Sequence, residues 1–178
     1  MKSEYIEHEI KVLNVNIEQV QSKLEEMGAK KVYDDERKFI VLDNENGDYL
    51  KQDKLIRITE EGTTKVSIHI NNSKPEIKEA IKYKASRTKE QLDFFKAIGL
   101  SPIAKAKARR ISYELGDIDF DIDDFYKIPP FLEIDLENVK DEKALLKELG
   151  LENNEVVRMG TEAIFEHYGL NYFEEYKV

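Results

Sequence analysis

From residue 5 to residue 13 apolar and polar positions alternate. Ile6, His8, Ile10 and Val12 fall on one side, and Tyr5, Glu7, Glu9 and Lys11 on the other. A period of two predicts a strand with one face turned to a core and the other gathering ions. Similar runs at 36–43, 54–60, 63–70, 76–84, 103–114, 117–124 and 131–137, with 4–13, make eight predicted strands. Plausible reversals separate several of them, at 44–48, Glu61-Gly62, 71–73 and Gly116-Asp117. Helical spacing replaces the period of two in four places. Asn16 caps a segment carrying Ile17, Val20, Leu24 and Met27 and stopped by Gly28. Thr88 and Gln91 form a capping box ahead of Leu92, Phe94, Phe95 and Ile98, with Gly99 as the stop. Asp141 opens a segment with Leu145, Leu146 and Leu149, closed by Gly150, and a last helix runs from Thr161 to Tyr168.

One parity of these strands keeps collecting charge: Arg57; Lys65 and His69; Lys105, Lys107 and Arg109; Asp119, Asp121 and Asp123; Glu133, Asp135 and Glu137. The other parity is apolar at Ile56 and Ile58, Val66 and Ile68, Phe120 and Ile122, Leu132 and Ile134. On any single strand such a polar face ordinarily meets water. If the sheet instead closes on itself, with helices outside against the apolar face, both signs of charge line a central tunnel. A ring of carboxylates or of cations cannot be buried without partners. Carboxylates with a hard divalent cation, Mg or Mn, and basic side chains with phosphate oxygens, make a neutralising set. The guest expected is a small polyphosphate with its metal.

The 178 residues suit one domain, 1–178, able to bury a core without cross-links. Cysteine is absent, which excludes disulfides, thiolate zinc sites and a cysteine nucleophile. A formal charge of -9 argues against a nucleic-acid partner, since backbone binding rests on clustered Lys and Arg. No apolar run is long enough to cross a membrane, and no secretory h-region opens the chain, so a soluble, cytoplasmic protein is expected.

Taken in order, Glu7-x-Glu9-x-Lys11, Ile56-Arg57-Ile58-Thr59, Val66-Ser67-Ile68-His69, Lys107-Ala108-Arg109 and the run from Asp123 through Glu133 to Asp135 resemble the signature strands of the CYTH family, the triphosphate tunnel metalloenzymes. Within it the last run is similar to that of the class IV adenylate cyclase-like branch. The resemblance implies an α+β fold, a closed eight-stranded antiparallel β-barrel with helices packed outside, and a metal-dependent enzyme acting on a triphosphate. Glu7, Glu9, Asp123, Glu133 and Asp135 would hold Mg or Mn. Lys11, Arg57, Lys65, His69, Lys107 and Arg109 would hold phosphate oxygens, with Glu7, Glu9, Lys11 and Asp123 closest to the chemistry.

Two chemistries stay open: cyclisation of ATP, in which a ribose hydroxyl attacks the alpha-phosphate, and hydrolysis of inorganic, thiamine or nucleoside triphosphate by water. Thr59 and His69 replace an arginine and a lysine of the resembled pattern, Pro129 a glycine and Asp135 a glutamate. The first two changes remove permanent positive charge, which favours an alternative, a non-catalytic polyphosphate- or nucleotide-binding module. Asp119 and Asp121 divide evenly between solvated rim and ligation, and His69 taken alone reads more readily as an ordinary strand histidine than as a catalytic group. A homodimer is left open, and the segment 74–84 is not aligned.

Overall fold

The structure, a computed structural model, describes residues 8–73 and 79–178. The expected strand at 4–13 is described as β1 (Glu9–Val12). It is followed by α1 (Ile17–Glu26), β2 (Lys30–Asp43), the single turn α2 (Asp48–Lys51), β3 (Lys54–Glu61), β4 (Thr63–Ile70) and β5 (Glu79–Ala85). After α3 (Thr88–Ala97) come β6 (Ser101–Leu115), β7 (Ile118–Asp124), β8 (Phe131–Asp135), α4 (Glu142–Glu148), the two-residue β9 (Val156–Val157), α5 (Thr161–His167) and α6 (Tyr172–Glu175).

The helix ends follow local chemistry. Asn16 Oδ1 accepts from the Gln19 N–H at 3.0 Å, and Asp141 Oδ1 from the Ala144 N–H at 3.0 Å, so both predicted caps satisfy an otherwise orphaned donor. Gly28 takes φ +86° while the Ala29 N–H returns to the Leu24 carbonyl at 2.9 Å, ending α1. Thr88 does not cap α3. Arg87 occupies that position without a side-chain bond, and Thr88 Oγ1 meets Thr64 Oγ1 at 3.1 Å instead. The predicted reversal at 44–48 leads into α2, because buried Asp43 gathers the N–H groups of Asn44, Tyr49 and Leu50.

The nine strands follow the order β5-β4-β3-β2-β6-β7-β8-β1-β9. The pairs β1–β8, β1–β9, β2–β3, β3–β4, β4–β5, β6–β7 and β7–β8 are antiparallel. This corrects the expected closed eight-stranded barrel. β1 carries β8 on one edge and the unforeseen β9 on the other, and among the described residues the order ends at β5 and β9. Barrel closure needs the terminal strands to pair, and that pairing is not present among the described residues.

The chain divides into two compact units. The first holds Arg37–Lys107 and Met159–Val178, the second His8–Glu36 and Ala108–Arg158. In the second, Ile10, Val12, Ile111, Tyr113, Phe120, Ile122, Leu132 and Ile134 pack with Val20 and Leu24 of α1 and with Leu145 and Leu146 of α4. In the first, Leu42, Ile56, Ile58 and Val66 pack with Phe95 of α3 and with Leu100. No helix among the described residues is long and apolar enough to cross a membrane.

Candidate functional site

Burying the apolar parity of β1, β6, β7 and β8 under α1 and α4 leaves the other parity on the opposite face of the second unit's strands. Glu9, Lys11, Arg110, Ser112, Asp121, Asp123, Glu133 and Asp135 share it. Register then sets the neighbours: Lys11 pairs with Glu133, Glu133 with Asp121, and Asp121 with Ser112, one row across four strands. In adjacent rows Glu9 lies opposite Asp135, and Arg110 opposite Asp123.

Two cations organise the face. Lys11, 2% exposed, sets Nζ on Glu9 Oε1 and at 3.1 Å from Glu133 Oε2. Burial works to lower its pKa, but Glu133 and then Glu9 outweigh it and hold the ammonium above its ordinary value. Arg110 is also buried. Its Nε donates to Asp123 Oδ1 at 2.8 Å, its Nη2 to Asp123 Oδ2 and its Nη1 to Asp121 Oδ2, and Glu133 Oε1 lies 3.6 Å from Nη2. Burial opposes its charge too, and Asp123, Asp121 and Glu133 overcome it. Ser112 donates to Asp121 Oδ1 at 2.5 Å. Asp121 is nevertheless pushed up to about 6, by burial first, against Arg110 and with Glu133 and Asp123 adding to the rise.

Within this cluster the carboxylates of Glu9, Asp121, Asp123 and Glu133 meet the cations Lys11 and Arg110. Hard carboxylate oxygens of this kind suit a divalent Mg or Mn ion. The same oxygens are drawn into ion pairs, and among the described residues no three acidic or histidine groups converge as a ready ligand set.

The first unit carries a basic face, opposite the one that α3 covers. Arg57 and Arg37 both stand over the Phe39 ring, 5.3 and 4.7 Å from guanidinium carbon to centroid. Arg57 Nη2 lies 3.4 Å from His69 Nε2, which also meets Ser67 Oγ at 3.1 Å. A guanidinium can only donate, so in a hydrogen bond between the two Arg57 is the donor. Glu61 is shared by Arg37 at 3.3 Å and Lys65 at 3.4 Å. Arg57 Nε is buried and meets no acceptor among the described residues.

The expected site residues therefore divide. Glu9, Lys11, Asp123 and Glu133 come together in the second unit, and Asp121 joins them. Arg57, Lys65 and His69 lie on the basic face of the first, beside buried Thr59. Asp135 is exposed, with Oδ1 accepting from the Glu137 N–H at 2.9 Å. Lys107 and Arg109 are exposed on the parity opposite to Arg110, and Arg109 bonds Asp34 through Nε at 2.9 Å. Glu7 and the segment 74–78 lie outside the described residues.

Arg110 and Arg37 are the residues that sequence reasoning missed. Counting parity back from the buried pair Ile111 and Tyr113 would have placed Arg110 on the ionic face. The regular charges of Lys105, Lys107 and Arg109 pointed to the other one.

No family model matches the chain, and no curated protein matches it. Solved structures do. A Pyrococcus horikoshii OT3 protein is 23% identical, covering 84% of this chain and 94% of its own at a TM-score of 0.66. A candidate adenylate cyclase from Vibrio parahaemolyticus is 14% identical, with 96% and 91% covered and a TM-score of 0.65. A candidate adenylyl cyclase from Hippeastrum, described as having a dominant triphosphatase activity, is 14% identical, with 93% and 98% covered and a TM-score of 0.65. At these identities the likeness is one of fold, and it agrees with the family resemblance carried by the signature strands.

Proposed function

We propose that this chain is a triphosphate-processing enzyme of the CYTH kind. The single observation that carries the reading is the cluster of Lys11, Arg110, Asp121, Asp123 and Glu133, buried and half-buried charged groups of both signs aligned in register on one sheet face. The fold shared with a candidate cyclase and with a protein of dominant triphosphatase activity supports it. Glu9, Asp121, Asp123 and Glu133 would hold Mg or Mn, which supplies charge neutralisation and activation of the attacking oxygen.

The chain's own groups have separable tasks. Lys11 and Arg110 keep the carboxylates charged and oriented while fixing their rotamers, a positioning role. On the basic face Arg57, with Arg37 and Lys65, binds phosphate oxygens and stabilises charge passing to the leaving phosphate. His69, accepting from Arg57, aims that guanidinium.

Incubation of the purified protein with ATP, thiamine triphosphate and inorganic triphosphate, each with Mg or Mn, tests the reading. Metal-dependent release of phosphate, or of pyrophosphate with cyclic AMP, is the expected result. Binding without turnover of any of the three would favour the non-catalytic module, whose support is that buried Thr59 and buried His69 stand where the resembled family has an arginine and a lysine.

A further inference from the structure

We propose that the chain carries a self-modification site at Asn46-Gly47, where Lys51 promotes attack of the Gly47 nitrogen on the Asn46 side chain and so converts Asn46 to an aspartyl or isoaspartyl residue. The inference stands apart from the triphosphate reading above.

Asn46-Gly47 is the one Asn-Gly step in the sequence. It lies in the turn between β2 and α2. Asn46 is exposed, and its side-chain amide has no hydrogen-bond partner among the described residues. Gly47 takes φ +68°, and apart from its chain neighbours a Cβ built there would come no closer than 4.0 Å to any atom, the nearest being Asp43 Oδ2. Its nitrogen is therefore open to a neighbouring electrophile. The turn itself is ordered. Asn44 Oδ1 accepts from the N–H groups of Asn46 at 3.1 Å and Asp48 at 3.0 Å, and the Asn44 carbonyl accepts from the Gly47 N–H at 3.0 Å.

Lys51 supplies the chemical bias. Its Nζ donates to the Asn46 carbonyl at 2.5 Å. That carbonyl shares a peptide unit with the Gly47 N–H, and when the proton leaves, negative charge spreads from nitrogen to oxygen. An ammonium on the oxygen stabilises that charge and makes the N–H more acidic. Opening of the bond to the Asn44 carbonyl then frees the nucleophile. The Gly47 proton passes to water, the nitrogen bonds to Asn46 Cγ, and the side-chain nitrogen takes a proton from water and leaves as ammonia, closing a cyclic imide. Water opens the imide at either carbonyl. One opening gives an aspartyl residue, the other an isoaspartyl residue whose main chain is one carbon longer. Both place a new carboxylate one turn ahead of Lys51. The longer chain also displaces the N–H groups of Asp48, Tyr49 and Leu50 from Asn44 and Asp43, so α2 loosens.

The test holds the parent, Lys51→Gln and Lys51→Arg in mildly alkaline buffer and follows position 46 by peptide mapping with isoaspartate detection. The folded parent should convert at least threefold faster than Lys51→Gln. Lys51→Arg, which keeps a cationic donor, should stay close to the parent, and all three should converge in urea, where the fold no longer sets Lys51 on the carbonyl. Absence of conversion at Asn46 in the folded parent would overturn the site. Equal or faster conversion in folded Lys51→Gln, a Lys51→Arg rate no better than that of Lys51→Gln, or a difference that persists in urea would overturn the role of Lys51.

Discussion

Adjacent arginines in β6 show how far one position on a strand can change the worth of a charge. Arg110 is buried among Asp121, Asp123 and Glu133, whereas Arg109 is half exposed against Asp34. Arg110→Gln should cost about 3–5 kcal/mol in urea unfolding, because it leaves buried carboxylates without their cation. Arg109→Gln should cost at most about 1 kcal/mol, as exposed pairs do. Similar losses for both would contradict the assignment of the ionic face. Asp121 makes a prediction of the opposite sign. Its folded pKa of about 6 lies above the ordinary aspartate value of 3.8, so between those values the folded state holds a proton that the unfolded chain has lost. Stability should therefore fall as pH rises from about 4 to 6. Asp121→Asn should flatten that decline and unfold at higher temperature than the parent at pH 7. Added Mg should act in the same direction at pH 7 on the parent, by favouring the carboxylate.

At the scale of the element, most helix ends and strand faces were legible because their causes are short-range. Asn16 and Asp141 cap α1 and α4 through bonds three residues away, so Asn16→Ala should cost about 1 kcal/mol. Thr88→Ala, by contrast, should leave the N-terminus of α3 intact, since Thr88 is not its cap. Amide exchange in the first turn of each helix distinguishes the two cases. Two of the missed elements have causes outside helix-cap spacing and strand alternation. α2 exists because a buried Asp43 collects N–H groups up to seven residues ahead, and β9 because β1 had a free edge.

For the whole molecule, the proposed function predicts linkage between folding and ligand. Inorganic triphosphate with Mg, at about a hundredfold over its Kd, should add about 2.7 kcal/mol of stability. For a chain of this length that is a rise of roughly 5–10 °C in Tm. Chelation of the metal should remove the part of the shift that passes through Glu9, Asp121, Asp123 and Glu133, and Glu9→Gln should reduce it at saturating triphosphate. A shift insensitive to chelator would separate phosphate binding from the carboxylate cluster.

Alternation by itself settled which residues of β1, β3, β4, β7 and β8 meet a core and which gather as ions, because a strand has two faces and the apolar one must be covered. The ordered signature from Glu9 to Asp135 pointed to the fold, for spacing survives substitutions such as Thr59 and Asp135 that identity does not. The tertiary structure decided what lies opposite what. Arg110 in place of Arg109 answers Asp123, Arg37 shares Phe39 with Arg57, and Asn72 meets Glu162 from ninety residues away in the chain. These are questions of register and long-range packing, in which a shift of one residue reverses every side chain, and local periodicity is equally satisfied by either answer.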